Sequence, residues 1–158
     1  MKLISALMSI ILTFGAFGAP QVRKIKSKSN NRQMTREQVA LTLEKAGFPK
    51  EMVPVVTCLA EFESNFIPTA INSHNTNNTK DHGLLQINDI WMEDCRLNET
   101  DLANPLKNAR CAYKIYQKQG LTAWVTYKKF KRTCLAYQIP NYNTKNLAEI
   151  IIKNNQLM

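Results

Sequence analysis

Long apolar runs are almost absent from this 158-residue chain, and the longest one spans only residues 3–14. A membrane-spanning helix needs about 20 apolar residues, so no segment is a candidate for one. Internal repeats and nucleic-acid recognition motifs are absent too, which argues against nucleic acid as a partner. The length suits one domain.

The N-terminus has the pattern of a targeting signal. Lys2 supplies a positive charge, residues 3–14 are apolar, and small residues end the segment at Gly18. This order is typical of a secretory signal peptide. We therefore predict a signal peptide over residues 1–18 and a secreted, extracellular protein.

The chain is strongly basic, with a formal net charge of +9. A basic secreted protein is attracted to anionic polymers, including bacterial surfaces, although the charge also serves simple solubility. Residues 19–33 are basic, polar and without apolar periodicity, so we predict a disordered arm.

Cysteines are few, and all four lie after the arm, at Cys58, Cys95, Cys111 and Cys134. In an oxidising compartment they are expected to form two disulfides. Four cysteines allow three connectivities, and spacing alone does not choose among them.

Apolar periodicity and end signals predict several helices and one hairpin. Thr35 and Gln38 form a capping-box pattern, and Gly47 suits a helix end. The predicted helices are 34–47, from about Pro54 to Ser64, from Pro105 to Gly120, and 122–130 around Trp124. Segments 69–73 and 80–87 suit a hairpin, and the tail at 144–153 is compatible with a helix. The fold class is thus α+β, mainly helical with a small antiparallel sheet.

Two carboxyl groups in unlike surroundings are the main chemical signal. Glu63 lies late in an apolar helix, on one face with Leu59 and Ala60, where desolvation raises a carboxyl pKa. Asp81 lies in a polar, glycine-punctuated segment that favours its ionised form. Such a pair suits acid-assisted cleavage of a glycosidic bond. The alternatives are an ordinary surface glutamate and an aspartate that closes the hairpin turn.

Four segments resemble the animal c-type lysozymes of the lysozyme C/alpha-lactalbumin family: CLAEFESNF (58–66), DHGLLQIN (81–88), CAYKI (111–115) and TAW (122–124). The resemblance implies a lysozyme-like domain over residues 34–135, a tail over 136–158, and a cleft between helices and sheet. It implies a retaining glycosidase, for which lysozyme is the type case, with Glu63 as acid and Asp81 as nucleophile or electrostatic stabiliser.

The resemblance also implies a saccharide-binding set and a disulfide pairing. The binding positions are Asn72, Gln86, Asn88, Trp91, Ala123 and Trp124. The implied disulfides are Cys58–Cys134 and Cys95–Cys111.

The chain departs from the family in several places. Most relatives carry eight cysteines, and Glu37 stands where the first would be. His82 replaces a tyrosine, and Met92 replaces a second tryptophan. Asp81 follows Glu63 by 18 residues, one more than is usual, and we expect loop 74–79 to hold the extra residue. A shift of the strand instead would turn Asp81 to the wrong face.

Metal and modification signals are limited. Residues 97–104 offer only Glu99 and Asp101 as carboxylates, too few for calcium, so we expect no metal and no cofactor. Sequons at Asn77 and Asn98 are candidate glycosylation sites in a secreted protein.

The leading hypothesis is a secreted, monomeric muramidase that cleaves β-1,4 linkages of bacterial peptidoglycan, in an antibacterial or digestive role. Its partners would be peptidoglycan, N-acetylglucosamine-containing oligosaccharides and the anionic bacterial surface. The alternatives are a non-hydrolytic saccharide-binding protein on the same fold and a cationic membrane-active antimicrobial protein that acts through its basic arm.

Overall fold

The computed structural model describes residues 33–140 and residue 142. The expected signal peptide (1–18), residues 19–32 of the expected basic arm and the suggested tail helix (144–153) lie outside the described residues. Within the described part, no helix has the length and apolar character that crossing a membrane requires.

The described residues form a mainly helical domain with a small antiparallel sheet, which confirms the α+β expectation. The elements are α1 (Arg36–Ala46), α2 (Val53–Ser64), β1 (Ile71–Asn72), β2 (Asp81–His82), β3 (Ile87–Asn88), α3 (Met92–Cys95), α4 (Glu99–Leu102), α5 (Pro105–Gln119) and α6 (Val125–Leu135). Sequence analysis located α1, α2 and α5 to within two residues but missed the short helices α3 and α4.

Helix α1 begins and ends as its sequence predicts. The Thr35 side chain accepts from the Gln38 backbone N–H at 3.2 Å, and the Gln38 side chain accepts from the Thr35 N–H at 2.9 Å. Gly47 ends the helix with φ 106°, a conformation that L side chains rarely adopt. The capping box and the glycine end are thus confirmed.

Helix α2 lies at the centre of the core, between α1 and α6. Its Val56, Leu59 and Ala60 side chains are fully buried. A disulfide between Cys58 and Cys134 joins it to α6, with a Cα–Cα distance of 5.2 Å. The catalytic candidate at the end of α2 therefore projects from a largely buried helix that a disulfide joins to α6.

The second disulfide joins Cys95 of α3 to Cys111 of α5, with a Cα–Cα distance of 5.5 Å. It attaches the segment that follows the sheet to the helical part. All four cysteines are thereby paired.

The sheet contains the expected hairpin and one strand more. Asn72 pairs with Asp81 across β1 and β2, and Asp81 pairs with Asn88 across β2 and β3. Gly83, at φ 73°, starts the turn between β2 and β3, and a Cβ there would lie 2.3 Å from the Leu102 carbonyl oxygen. This turn makes residues 87–88 a separate strand, which the predicted single segment 80–87 did not foresee.

The predicted helix around Trp124 is wrong in its position. Residues 120–123 form a 3₁₀ turn, Trp124 is extended (φ −99°, ψ 117°), and α6 begins at Val125. The Trp124 indole Nε1 donates to the Leu85 carbonyl at 2.9 Å, and the side chain is 6% exposed. Helical periodicity does not reveal this break, because the partner lies 39 residues away.

The chain after α6 packs back onto the domain. Ile139 is buried, the Tyr142 hydroxyl donates to Glu44 of α1 at 2.6 Å, and the Tyr137 hydroxyl donates to Glu61 of α2. Arg36 pairs with the same Glu61 carboxylate at 3.6 Å. Glu61 therefore holds the C-terminal segment against α1 and α2.

Candidate active site

A cleft of about 630 Å³ lies between the helices and the sheet. All eight residues named from the sequence as catalytic or saccharide-binding line it: Glu63, Asn72, Asp81, Gln86, Asn88, Trp91, Ala123 and Trp124. Polar residues that sequence analysis did not assign to the site line it too, including Asn75, Thr79 and Thr126. The two carboxyl groups thus face a common space.

Glu63 enters the cleft from an apolar surface. It follows the buried Leu59 and Ala60 on its helix face. Burial, opposed by a hydrogen bond with the Thr126 side chain and assisted by the charge of Asp81, raises the pKa of Glu63 to about 7. A carboxyl group with this pKa holds a proton in mildly acidic solution and can donate it.

The end of α2 is fixed to the sheet next to Glu63. The Ser64 hydroxyl donates to the Leu84 carbonyl at 2.8 Å and lies 3.1 Å from the Ala60 carbonyl. Asn65 then ends the helix in the left-handed conformation, at φ 50°. The two walls of the cleft are therefore connected directly below the acid.

Asp81 is surrounded by amides. Its Oδ1 accepts from Asn88 at 2.7 Å, and its Oδ2 accepts from Asn75 at 2.9 Å and from Asn72 at 3.2 Å. Its surroundings are thus opposite in character to those of Glu63.

Thr79 links two of these amides. Its Oγ1 lies 3.3 Å from Asn75 Nδ2 and 2.7 Å from Asn88 Nδ2. Sequence analysis missed Asn75 and Thr79, because an Asn- and Thr-rich segment indicates only a turn. The loop closes over Asp81, which pairs with Asn72 and Asn88 and lines the cleft.

The amides predicted to bind sugar have internal partners. Gln86 Nε2 donates to the Gly83 carbonyl at 2.9 Å, and Asn88 Oδ1 accepts from the Ile90 N–H at 3.2 Å. Asn72 Oδ1 accepts from the His74 N–H at 3.1 Å. These side chains therefore shape the polar wall in addition to facing the cleft.

Trp91 lies at the end of a 3₁₀ turn (Asp89–Trp91) that follows β3. The Lys118 ammonium lies 5.4 Å from the centre of its ring, a cation–π distance. An aromatic face at a cleft edge suits the C–H surface of a sugar ring. Ile90, beside it, also lines the cleft and is 68% exposed.

Within residues 33–140, one group of potential metal ligands is formed by His82, Asp89 and Glu99, whose ligand atoms lie within 4.8 Å of one another. Its members have partners of their own. His82 Nε2 lies 2.6 Å from Asp89, and Glu99 pairs with the Lys80 ammonium at 3.4 Å. The absence of a metal requirement stays a prediction.

The two sequons occupy different places. Asn77 is exposed and lines the cleft, and its Oδ1 accepts from the Thr79 hydroxyl at 2.7 Å. Asn98 caps α4, where its Oδ1 accepts from the Asp101 N–H at 2.9 Å. Both side chains use the oxygen that a glycosylated asparagine retains.

Known proteins resemble the chain in sequence over most of the described domain. A family model described as a lysozyme-like domain matches residues 39–126. Lysozyme 1 of Musca domestica is 33% identical over 125 residues, which cover 72% of this chain and 83% of the relative. Lysozyme P of Drosophila melanogaster is 33% identical over 112 residues, covering 61% and 77%.

A solved structure resembles the fold. The crystal structure of recombinant wild-type canine milk lysozyme in its apo form superposes with a TM-score of 0.57 at 22% identity, covering 68% of this chain and 100% of that one. At this identity the likeness shows the fold alone. The family match and the relatives show more: this chain belongs to the lysozyme-like domain family, as a divergent c-type lysozyme, and is thereby a glycosidase.

Proposed function

We propose that this protein is a secreted muramidase that cleaves β-1,4 linkages of bacterial peptidoglycan with Glu63 and Asp81. The observation that carries the proposal is the pair of carboxyl groups on opposite walls of one cleft, one in apolar and one in amide-rich surroundings. A glycosidase needs this contrast, because one group must donate a proton while the other stays ionised.

In the proposed mechanism, protonated Glu63 donates to the departing glycosidic oxygen. Asp81 faces the anomeric carbon, where its charge stabilises the oxocarbenium-like transition state or its oxygen attacks to form a glycosyl intermediate. Water then cleaves the intermediate, with Glu63 acting as the base. Trp91 and the edge of the sheet hold the sugar rings, and no cofactor or metal takes part.

The relatives and the basic composition support the substrate and the compartment. The similar insect proteins are named lysozymes, and a net charge of +9 attracts a protein to anionic cell walls. We expect export through the signal peptide, action as a monomer, and glycans at Asn77 and Asn98. The mass of the protein secreted by a eukaryotic host checks the glycans.

The direct test measures release of reducing sugar from purified peptidoglycan by wild type and by Glu63→Gln. Loss of the general acid is expected to reduce kcat by about 100-fold or more. Glu61→Gln is the matched control, because Glu61 lies on the same helix outside the cleft lining and should retain near-wild-type kcat. An inactive wild type between pH 4 and pH 8, or an active Glu63→Gln variant, would refute the proposal.

The same protein samples separate the two alternatives. Binding of N-acetylglucosamine oligomers by wild type without any cleavage would favour a saccharide-binding protein. Bacterial killing that disappears on deletion of residues 19–33, while wall hydrolysis persists, would favour membrane disruption.

A further inference from the structure

We propose that Asp89 is a positioning residue that holds both chain neighbours of Asp81, and through them sets the orientation of the Asp81 carboxylate. The inference rests on the catalytic role proposed for Asp81. Asp89 Oδ2 accepts from the Lys80 backbone N–H at 2.7 Å, and Asp89 Oδ1 lies 2.6 Å from His82 Nε2. The Asp89 N–H also donates to the Lys80 carbonyl at 2.9 Å. We call these three contacts the Asp89 clamp.

The His82 side of the clamp is deeply buried. His82 is 2% exposed, and its carbonyl accepts from Asn108 Nδ2 of α5 at 2.8 Å. Residue 82 is therefore fixed through its ring by Asp89 and through its backbone by α5. An ionised carboxylate only accepts hydrogen bonds, so the His82 ring donates from Nε2.

The Lys80 side is a charge-assisted backbone hydrogen bond. Burial acts to raise the pKa of Asp89, but the Lys80 N–H and the His82 ring outweigh it, so the pKa lies below its ordinary value. The clamp thus keeps a charged acceptor, and hydrogen bonds of this kind are roughly twice as strong as neutral ones.

A clamp is needed because β2 is only two residues long. A slip of one residue would turn the Asp81 side chain to the opposite face of the sheet. The loop before Asp81 is held by side-chain hydrogen bonds of Asn75, Asn77 and Thr79 and not by a longer strand pairing. Contacts on both sides of Asp81 prevent the slip.

Asp89 also connects Asp81 to the sugar-binding edge. It begins the 3₁₀ turn that ends at Trp91. Its neighbour Asn88 donates to the Asp81 carboxylate and accepts from the Ile90 N–H. The turn is therefore connected to Asp81 both through the Asn88 side chain and through the Asp89 clamp. The Asp89 side chain thereby sets the position of Asp81 relative to the Trp91 ring.

None of the three clamp residues is among the described residues that line the cleft. An effect of Asp89 on turnover must therefore pass through Asp81 or Trp91. Glu99 provides a matched control, because it contacts the ammonium of Lys80 at 3.4 Å and not the backbone beside Asp81. Its removal changes the charge of the same surface and leaves the clamp intact.

The test compares steady-state kinetics of Asp89→Ala, Asp89→Asn and Glu99→Gln on N-acetylglucosamine oligomers. Asp89→Ala is expected to lower kcat at least tenfold with KM changed less than threefold. Asp89→Asn retains one acceptor and should fall between Asp89→Ala and wild type, whereas Glu99→Gln should stay within twofold. Unchanged kcat in Asp89→Ala, or an equal loss in Glu99→Gln, would overturn the positioning role.

Amide hydrogen exchange tests the clamp without any activity. The Lys80 amide is expected to exchange at least tenfold faster in Asp89→Ala than in wild type, with the α2 and α5 amides unchanged because the helices remain folded. Unaltered Lys80 exchange would show that the clamp does not exist in solution. Faster Lys80 exchange in Asp89→Ala, together with a wild type that hydrolyses no substrate, would support the clamp. It would refute the proposed muramidase activity and with it the positioning role.

Discussion

The two walls of the cleft surround a carboxyl group with opposite kinds of neighbours. On the helical wall, Glu63 is surrounded by buried apolar side chains and its pKa is raised to about 7. On the sheet wall, Asp81 accepts hydrogen bonds from three asparagines. The surroundings of the two carboxyl groups thus differ in character, one apolar and one rich in hydrogen-bond donors, while their intrinsic acidities are similar.

The walls also differ in how they are held. The helical wall rests on the core helix α2 and a disulfide to α6. The sheet wall has strands of two residues and depends on side-chain hydrogen bonds among asparagines, Thr79 and Asp89. We expect substitutions on the helical wall to alter the pKa of the acid, and substitutions on the sheet wall to alter the orientation of the anion.

The largest effect should come from removing the anion. Asp81→Asn keeps the size of the side chain and loses its charge, so kcat is expected to fall by about 100- to 1000-fold, since transition-state charge is no longer stabilised. Initial rates on peptidoglycan measure this. A loss of kcat below tenfold would show that the reaction does not require a carboxylate at position 81.

A smaller effect should follow from removing one amide of that wall. Asn88→Ala deletes the 2.7 Å hydrogen bond to Asp81 and the contact with Thr79. A hydrogen bond to a charged group contributes about 1.5–3 kcal/mol, which corresponds to a loss of roughly 10- to 100-fold if the bond matters fully in the transition state. The kcat of Asn88→Ala, compared with that of Asn78→Ala in the exposed loop, checks this. Equal kcat values for the two variants would show that the Asn88 hydrogen bond to Asp81 does not support catalysis.

The apolar wall predicts an unusual dependence of stability on pH. Between the ordinary glutamate value of 4.5 and the folded value of about 7, the folded protein holds a Glu63 proton that the unfolded chain releases. The stabilising contribution is therefore present below about pH 4.5 and is lost as pH rises through about 7. Relative to Glu63→Gln, wild type should lose on the order of 2 kcal/mol of unfolding free energy between pH 5 and pH 8.

Urea unfolding of both proteins at the two pH values measures this difference. Glu63→Gln serves as the reference, because it removes the Glu63 titration and keeps the other carboxyl groups. Parallel stability curves would mean that the apolar wall does not shelter the acid.

The smallest effect is expected from a substitution outside the cleft. Tyr137→Phe removes the hydroxyl that donates to Glu61 and leaves the ring over Arg36, where the guanidinium carbon is 4.7 Å from the ring centre. The expected cost is about 1 kcal/mol of unfolding free energy with kcat unchanged, since neither group lines the cleft. Thermal unfolding together with the hydrolysis assay measures both. A changed kcat would show that the C-terminal segment influences the acid.

The features that could be predicted from the sequence are those that depend on residues close together in the chain. Glu63 and its apolar face were predictable, because helical spacing brings Leu59 and Ala60 to it within one turn. The mainly helical fold and both cap signals of α1 were predictable for the same reason. The family motif placed the cleft residues, since it spans both walls.

Interactions between distant segments were not predictable. Asn75 reaches Asp81, and Thr79 reaches Asn75 and Asn88, only after the loop closes over the strand. The break at Trp124 depends on a carbonyl 39 residues away, and the partner of Glu61 lies 76 residues away. No periodicity or end signal records such contacts, so sequence analysis misplaced the helix and did not identify the partners of Glu61.

The most direct test of the contrast between the walls is a carboxyl carbon NMR titration of Glu63, with Glu61→Gln recorded to assign the neighbouring glutamate. Burial against the apolar wall predicts that the Glu63 carboxyl group titrates near pH 7, and that hydrolysis declines over the same range as pH rises. A midpoint near 4.5 would contradict it, because Glu63 would then be ionised wherever the enzyme is expected to donate its proton.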